Sequence, residues 1–347
     1  MEFKNRVFGV ASVKAINSNY NADFSGQPRR LPNGKVYATD KAFKYTVKNY
    51  IKNVFDSEKI LYFKRFDPLK PDYIPYSLIE GFCAMFPELA EVKTANAKKK
   101  KETDEEEEEE EEQTKNKITV KLKANKKEIG KALLSCIDIR LFGATFAMKG
   151  ASEQDNVAIS LHGPVQINHG INIWFENNIF TEQITSPFRN PSEENKEDKQ
   201  ATTLGRQAKL EEGHYVHHFS INPQNLSEIT TLAGADAKKL SLDDIEKLKE
   251  AMRRGVTWYD SASKAGCENE LLFWVQIKEN SKIVLPNFTS LINTMDEKVD
   301  GKVVFDFLKA NVVISKNREE IEKIEIYYNK TTTEIVNLPE GTIEFDL

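Results

Sequence analysis

The chain has 347 residues, 39% of them hydrophobic, which is enough for one large domain with a real core and excludes wholesale disorder. It holds no run of eighteen or more apolar residues, and its start, MEFKNRVFGV, lacks a basic-apolar-small leader pattern, so a soluble, cytoplasmic protein is expected. The net charge of −5 suits a nucleic-acid ligand poorly until it is divided: residues 98–117 hold ten acids and six lysines (net −4), whereas residues 1–70 hold fourteen Lys and Arg against six Asp and Glu (net +8).

In chain order, Phe3 to Ile16 is rich in Val, Phe and Ile and predicts a strand. From Asn17 to Ala38, Gly, Pro and Asn cluster without a hydrophobic period, which predicts a long exposed loop. Thr39 is placed to cap a helix over DKAFKYTVKNYIKNVF. At about 100° per residue, Phe43, Val47, Tyr50 and Val54 share one side and Lys41, Lys44, Lys48 and Lys52 the other. A solvated face normally mixes Glu with Lys, so a stripe of one sign points to an anionic partner.

Residues 56–97 predict a small folded insertion with a helix about Ser77–Phe86, followed by the acidic run 98–117, which is expected to be a disordered loop. Helical spacing covers Lys126–Cys136, and residues 157–175 alternate as a strand interrupted by Gly163–Pro164. A polar, turn-rich stretch over 176–212 precedes a strand at about 213–222. Ser241 caps a helix that Gly255 is expected to end, and a strand over 268–277 leads into a mixed C-terminal segment. The core thus reads strand, helix, strand, strand, helix, strand, the ferredoxin-like order of an α+β, RNA-recognition-type fold. The aromatic Gly-Phe-Gly-Phe signature of base-stacking members is missing.

Catalytic signatures are not found: there is no GxSxG elbow, phosphate-binding glycine loop or paired-carboxylate constellation. His214 and His218 are four apart, but on a predicted strand, where chelation is difficult; with His162, His169 and His217 they are expected to be half-buried or ligand-facing imidazoles on a sheet. Cys83, Cys136 and Cys267 have no partners at metal-ligand spacing and are expected to be free, buried thiols. No enzymatic activity, cofactor or metal is expected.

Four separated segments, CIDIRLFGATFA, LHGPVQINHGINI, TTLGRQAKLEEGHYVHHFSINP and GVTWYDSASKAGCENELLFWVQI, resemble in order and spacing the DevR, or Cas-seven, backbone subunits of type I CRISPR Cascade complexes, most closely the I-B branch. The resemblance implies an RNA-recognition-type palm with a helical finger insertion and a β-hairpin thumb. On this chain these would be a discontinuous palm over 1–55, 126–175 and 213–347, a finger over 56–125 and a thumb over 176–212. It also implies an antiviral role: copies multimerise along a CRISPR guide RNA, target DNA is recognised through guide pairing, and other Cascade subunits join.

Charge and resemblance together select Arg29, Arg30, Lys35, Lys41, Lys44 and Lys48 as phosphate ligands, a contact that gives affinity without sequence information. Arg140, Gln166, Asn168 and His169, and Arg206 in the GRQAK segment, are further RNA-binding candidates. The alternatives are a type III-like relative that cuts target RNA with a loop aspartate (here Asp23) and a divalent metal, or a nonspecific RNA coat protein.

Overall fold

The structure, a computed structural model, describes residues 1–68, 72–95, 117–122, 124–148, 157–185 and 203–347. Strand β1 (Val7–Ser18) is followed by the short β2 (Tyr37–Ala38) and helix α1 (Asp40–Val54). Thr39 caps α1 by accepting the Ala42 amide on its hydroxyl at 3.3 Å, and Phe43, Val47 and Tyr50 form its buried stripe. Each such buried side chain contributes about 1.5–3 kcal/mol, more than propensity alone supplies.

Helix α2 (Leu78–Met85) starts at the expected Ser77, in a capping box with Glu80, and precedes the antiparallel pair β3 (Ala90–Ala95) and β4 (Lys117–Leu122). The acidic run lies outside the described residues except for Lys117. An Asn125–Glu128 capping box starts α3 (Lys126–Ser135); α4 (Ile137–Phe142) and the antiparallel pair β5 (Gly143–Met148) and β6 (Val157–His162) follow.

Next come β7 (Val165–Ile167), β8 (Gly170–Asn172), β9 (Ile179–Thr185) and the long β10 (Thr203–Ile221). Helices α5 (Ser227–Ala233) and α6 (Leu242–Trp258) lead into β11 (Cys267–Ile277). The C-terminal part comprises β12 (Asn293–Thr294), β13 (Val303–Asp306), α7 (Leu308–Lys316), β14 (Ile321–Tyr328), β15 (Thr333–Val336) and β16 (Thr342–Asp346).

The fold is α+β, built on a large sheet of order β16–β14–β11–β1–β10–β8–β2, with β7 and β9 also pairing with β10. Strand β1 lies between β10 and β11, antiparallel to both. Its first seven residues are all buried because both sheet faces are covered. Phe8 and Val10 join Phe273, Phe288, Phe305 and Phe307 in a core cluster on one face. Residues of opposite parity, such as Gly9, face Phe219, while Trp274 takes the Lys249 ammonium of α6 over its ring at 4.8 Å.

Two compact units divide the chain: residues 1–58, 164–225 and 240–347 carry the large sheet, and residues 59–163 with 226–239 carry α2 to α5 and β3 to β6. The expected insertion boundary at 125 therefore differs from the observed one at 163. The reason is pairing: β6 takes β5 as its partner, and α3 packs on α5. The single interrupted strand expected over 157–175 is three strands, β6 in one unit and β7 and β8 in the other.

Helix α6 also departs from expectation, running through Gly255 to Trp258. Gly255 does not end it; a Cβ there would lie 2.8 Å from the Thr46 carbonyl oxygen of α1, so the glycine permits close helix approach. All three cysteines are free and buried, as expected.

Candidate functional site

The loop between β1 and β2 is pinned rather than freely exposed. Asn19 and Tyr20 are buried, and the Asn19 carboxamide donates to the carbonyls of Gly26 (3.2 Å) and Ala208 (3.0 Å). Asn21 Oδ1 accepts both the amide and the hydroxyl of Thr39 at 2.9 Å, tying the loop to the start of α1. The Tyr37 amide donates to the Arg29 carbonyl (2.9 Å), and Arg30 bridges Val36. These bonds gather half-buried Arg29 and exposed Arg30 and Lys35 at the end of α1 that carries Lys41 and Lys44.

On α1, Lys41 is exposed, while Lys44 and Lys48 are half-buried. The stripe is not of one sign at its origin: Asp40 pairs with Lys44 at 3.1 Å and with Lys41 at 3.4 Å. Burial pushes the Asp40 carboxyl up, but the ammonium groups of Lys44 and Lys41 outweigh it and hold the group below the usual carboxylate range, so it is ionised at neutral pH.

Strand β7 and its turn into β8 present Gln166, Asn168 and His169 outward, with Ile167 buried between them, as strand alternation requires. The Asn168 backbone is fixed: its amide donates to the His218 carbonyl at 2.8 Å and its carbonyl lies 3.0 Å from His217 Nδ1. His169 Nδ1 accepts the Asp40 amide at 3.4 Å, which leaves Nε2 as the outward N–H in the neutral ring. Asp40, Asn168 and His169 line a cleft of about 470 Å³ with Ile167, Ile171, Asn287 and Thr289. The loop, the helix start and the β7–β8 turn thus form one basic and polar surface in the large-sheet unit.

Arg206 is exposed on β10, opposite Gln183 in the antiparallel β9–β10 ribbon. Arg140 is not part of the surface. It belongs to the other unit, is buried, and its Nη1 donates at 2.9 Å to the carbonyls of Leu134 and Ser135 at the end of α3. Its neighbour Asp138 accepts the amides of Leu61 (3.1 Å) and Tyr62 (2.8 Å), so the DIRLFG segment holds backbone together.

The histidines of β10 are buried rather than ligand-facing. His214 Nδ1 lies 2.8 and 2.9 Å from the Glu270 carboxylate oxygens and Nε2 lies 3.2 Å from Glu212. Burial pushes its pKa down, but Glu270 and Glu212 outweigh this and raise it to about 9, so His214 is protonated. Glu212 is held down at about 2, chiefly by the His214 hydrogen bond and then by Lys298. His217 and His218 are both lowered to about 4 by burial and are neutral. Asp23 Oδ1 accepts from the Ser25 amide (2.8 Å), the Ser25 hydroxyl (2.7 Å) and the Gln27 amide (3.0 Å), so this carboxylate shapes its own loop. Among the described residues no three His, Cys, Asp or Glu side chains converge as a metal site.

Asp40, Asn287 and Thr289 were not singled out from the sequence. Asp40 had a local signal, as the lone acid between residues 24 and 55, directly after a helix cap. Asn287 and Thr289 had none, because they reach the cleft only through tertiary folding.

The family model described as CRISPR-associated protein Cas7 matches residues 5–320. No curated protein matches the chain. Among solved structures, a chain of a "CRISPR RNA-guided surveillance complex, pre-nicking" is similar with a TM-score of 0.53 at 12% identity, covering 99% of this chain and 96% of that one. A chain of another "CRISPR RNA-guided surveillance complex" gives 0.45 at 11% identity, covering 97% and 95%. At 12% identity, the first likeness shows the fold.

Proposed function

The chain belongs to the CRISPR-associated protein Cas7 family, and from that membership and its basic surface we propose that it is a guide-RNA-binding backbone subunit of a type I Cascade complex. Several copies bind along one CRISPR RNA in the cytoplasm, contact other Cascade subunits, and leave recognition of target DNA to guide pairing. We assign the subtype as I-B-like, on the segments quoted above. The observation that carries the reading is the tether of Asn21 to Thr39, which brings the loop of Arg29, Arg30 and Lys35 to the start of the helix that bears Lys41, Lys44 and Lys48, inside a family-matched chain.

The strand order β11–β1–β10–β8, with α1 and α6 between strands in sequence, supports an RNA-recognition-type palm. We assign the palm to the large-sheet unit, the finger region to residues 59–163 with 226–239, and the thumb to the β9–β10 ribbon that bears Arg206. We read the subunit as one that binds without cutting, as the resemblance to type I backbone subunits implies; the local bonds of Asp23 Oδ1 give that carboxylate a part in shaping its own loop.

Replacing Lys41, Lys44 and Lys48 together by Glu is expected to abolish copurification of small RNA while circular dichroism and the melting transition stay near wild type. An unchanged RNA yield would remove the phosphate role of this face.

A further inference from the structure

Asp40 is out of place in a surface that only grips phosphate. Its carboxylate is an acceptor with no proton to give, and it lines the same cleft as Asn168, His169, Asn287 and Thr289. The carboxylate oxygens can accept from a hydroxyl but have no proton to offer a phosphate oxygen. Lys41 and Lys44 hold the carboxylate ionised and in position, and the pairing keeps both ammonium groups beside it. Around this acceptor stand groups that can complete a sugar-sized site. His169 Nδ1 lies 3.4 Å from the Asp40 amide and 3.7 Å from its carboxylate, and with Nδ1 as acceptor the Nε2–H is a donor. The Thr289 hydroxyl is buried and has no hydrogen-bond partner. Ile167 and Ile171 supply an apolar wall suited to the face of a sugar ring.

We propose that this cleft reads the ribose of the bound strand through its 2′-hydroxyl, which donates to the Asp40 carboxylate, while Lys41 and Lys44 hold the adjacent phosphate. The inference rests on the proposed guide-RNA role and deepens it: phosphate contacts do not separate RNA from DNA, and a carboxylate that requires a donor does. A hydrogen bond to a charged acceptor corresponds to about tenfold or more in affinity.

The test is equilibrium binding of three labelled single strands of one sequence to the full-length protein: RNA, its DNA counterpart, and RNA carrying 2′-O-methyl groups, which keep the oxygen and remove the donor. Wild type is expected to bind RNA about tenfold more tightly than either of the others. Asp40→Ala removes the acceptor and the negative charge beside Lys41 and Lys44, so it is expected to raise DNA affinity and collapse the RNA preference; Asn168→Ala, which leaves that charge in place, is expected to narrow the preference without that gain. Tight binding of all three strands alike would overturn the sugar reading and leave the RNA-binding role standing. Discrimination that follows base sequence and ignores the 2′ position would overturn it in favour of a base amine as the donor. Failure of wild type to bind any strand would overturn the proposed function, and this inference with it.

Discussion

At the scale of single residues, the sequence's most conspicuous polar groups divide between ligand-facing and structural roles by burial. Arg140 lies within a family-like segment and carries the right charge for RNA, yet its guanidinium is buried and serves the last carbonyls of α3. Arg140→Ala is expected to destabilise the protein by about 3 kcal/mol, seen as a lower melting temperature, while RNA affinity per folded molecule is unchanged. Loss of RNA affinity without loss of stability would return Arg140 to the binding set.

The β10 imidazoles give a pH dependence with opposed limbs. His214, raised to about 9 from 6.5, contributes stability that is fully present below about pH 6.5 and is lost as pH rises through about 9. His217 and His218, lowered to about 4, contribute stability present above about pH 6.5 and lost as pH falls toward 4. The melting temperature is therefore expected to peak near pH 6.5, with the steeper fall on the acid side, where two groups act. His214→Gln lowers overall stability and flattens only the alkaline limb; a melting temperature constant between about pH 6.5 and 9 in wild type would contradict the His214 assignment.

At the scale of elements, what could be read from the sequence was what local chemistry determines. Helix α1 was legible to its cap because Thr39, the apolar stripe and the lysine stripe all lie within sixteen residues. The Ser241 cap, and a helix beginning at about Ser77, were legible for the same reason. Pairing was not: residues 157–175 alternate as one strand, and only the competition of β5 and β10 as partners divides them between two units.

Gly255 signals a stop in the sequence, as a glycine late in a helical pattern does, whereas its reason in the fold is the α1 backbone packed against it. Gly255→Val is accordingly expected to cost about 1–3 kcal/mol by pushing α6 off α1, measured by denaturant unfolding. Stability equal to wild type would mean that the helix contact is looser than the 2.8 Å approach implies.

At the scale of the whole molecule, the uneven charge distribution was the legible signal of function, since the +8 of residues 1–70 stands clear of an acidic total. The cleft was not legible, because Asp40, Asn168 and Asn287 become neighbours only once β7, β8 and the segment after β11 have folded around α1. A surface that grips phosphate makes affinity strongly salt-dependent, and Lys41→Gln, Lys44→Gln and Lys48→Gln together are expected to lower the slope of log affinity against log salt by about two. An unaltered slope would place the phosphate contacts elsewhere.

The guide-scaffold role itself is tested most directly by the length distribution of RNA that copurifies with the full-length protein from its native source. A backbone subunit on a defined guide predicts RNA of one uniform length at a fixed protein-to-RNA ratio; RNA of random lengths in particles of indefinite size, or no RNA at all, would contradict it.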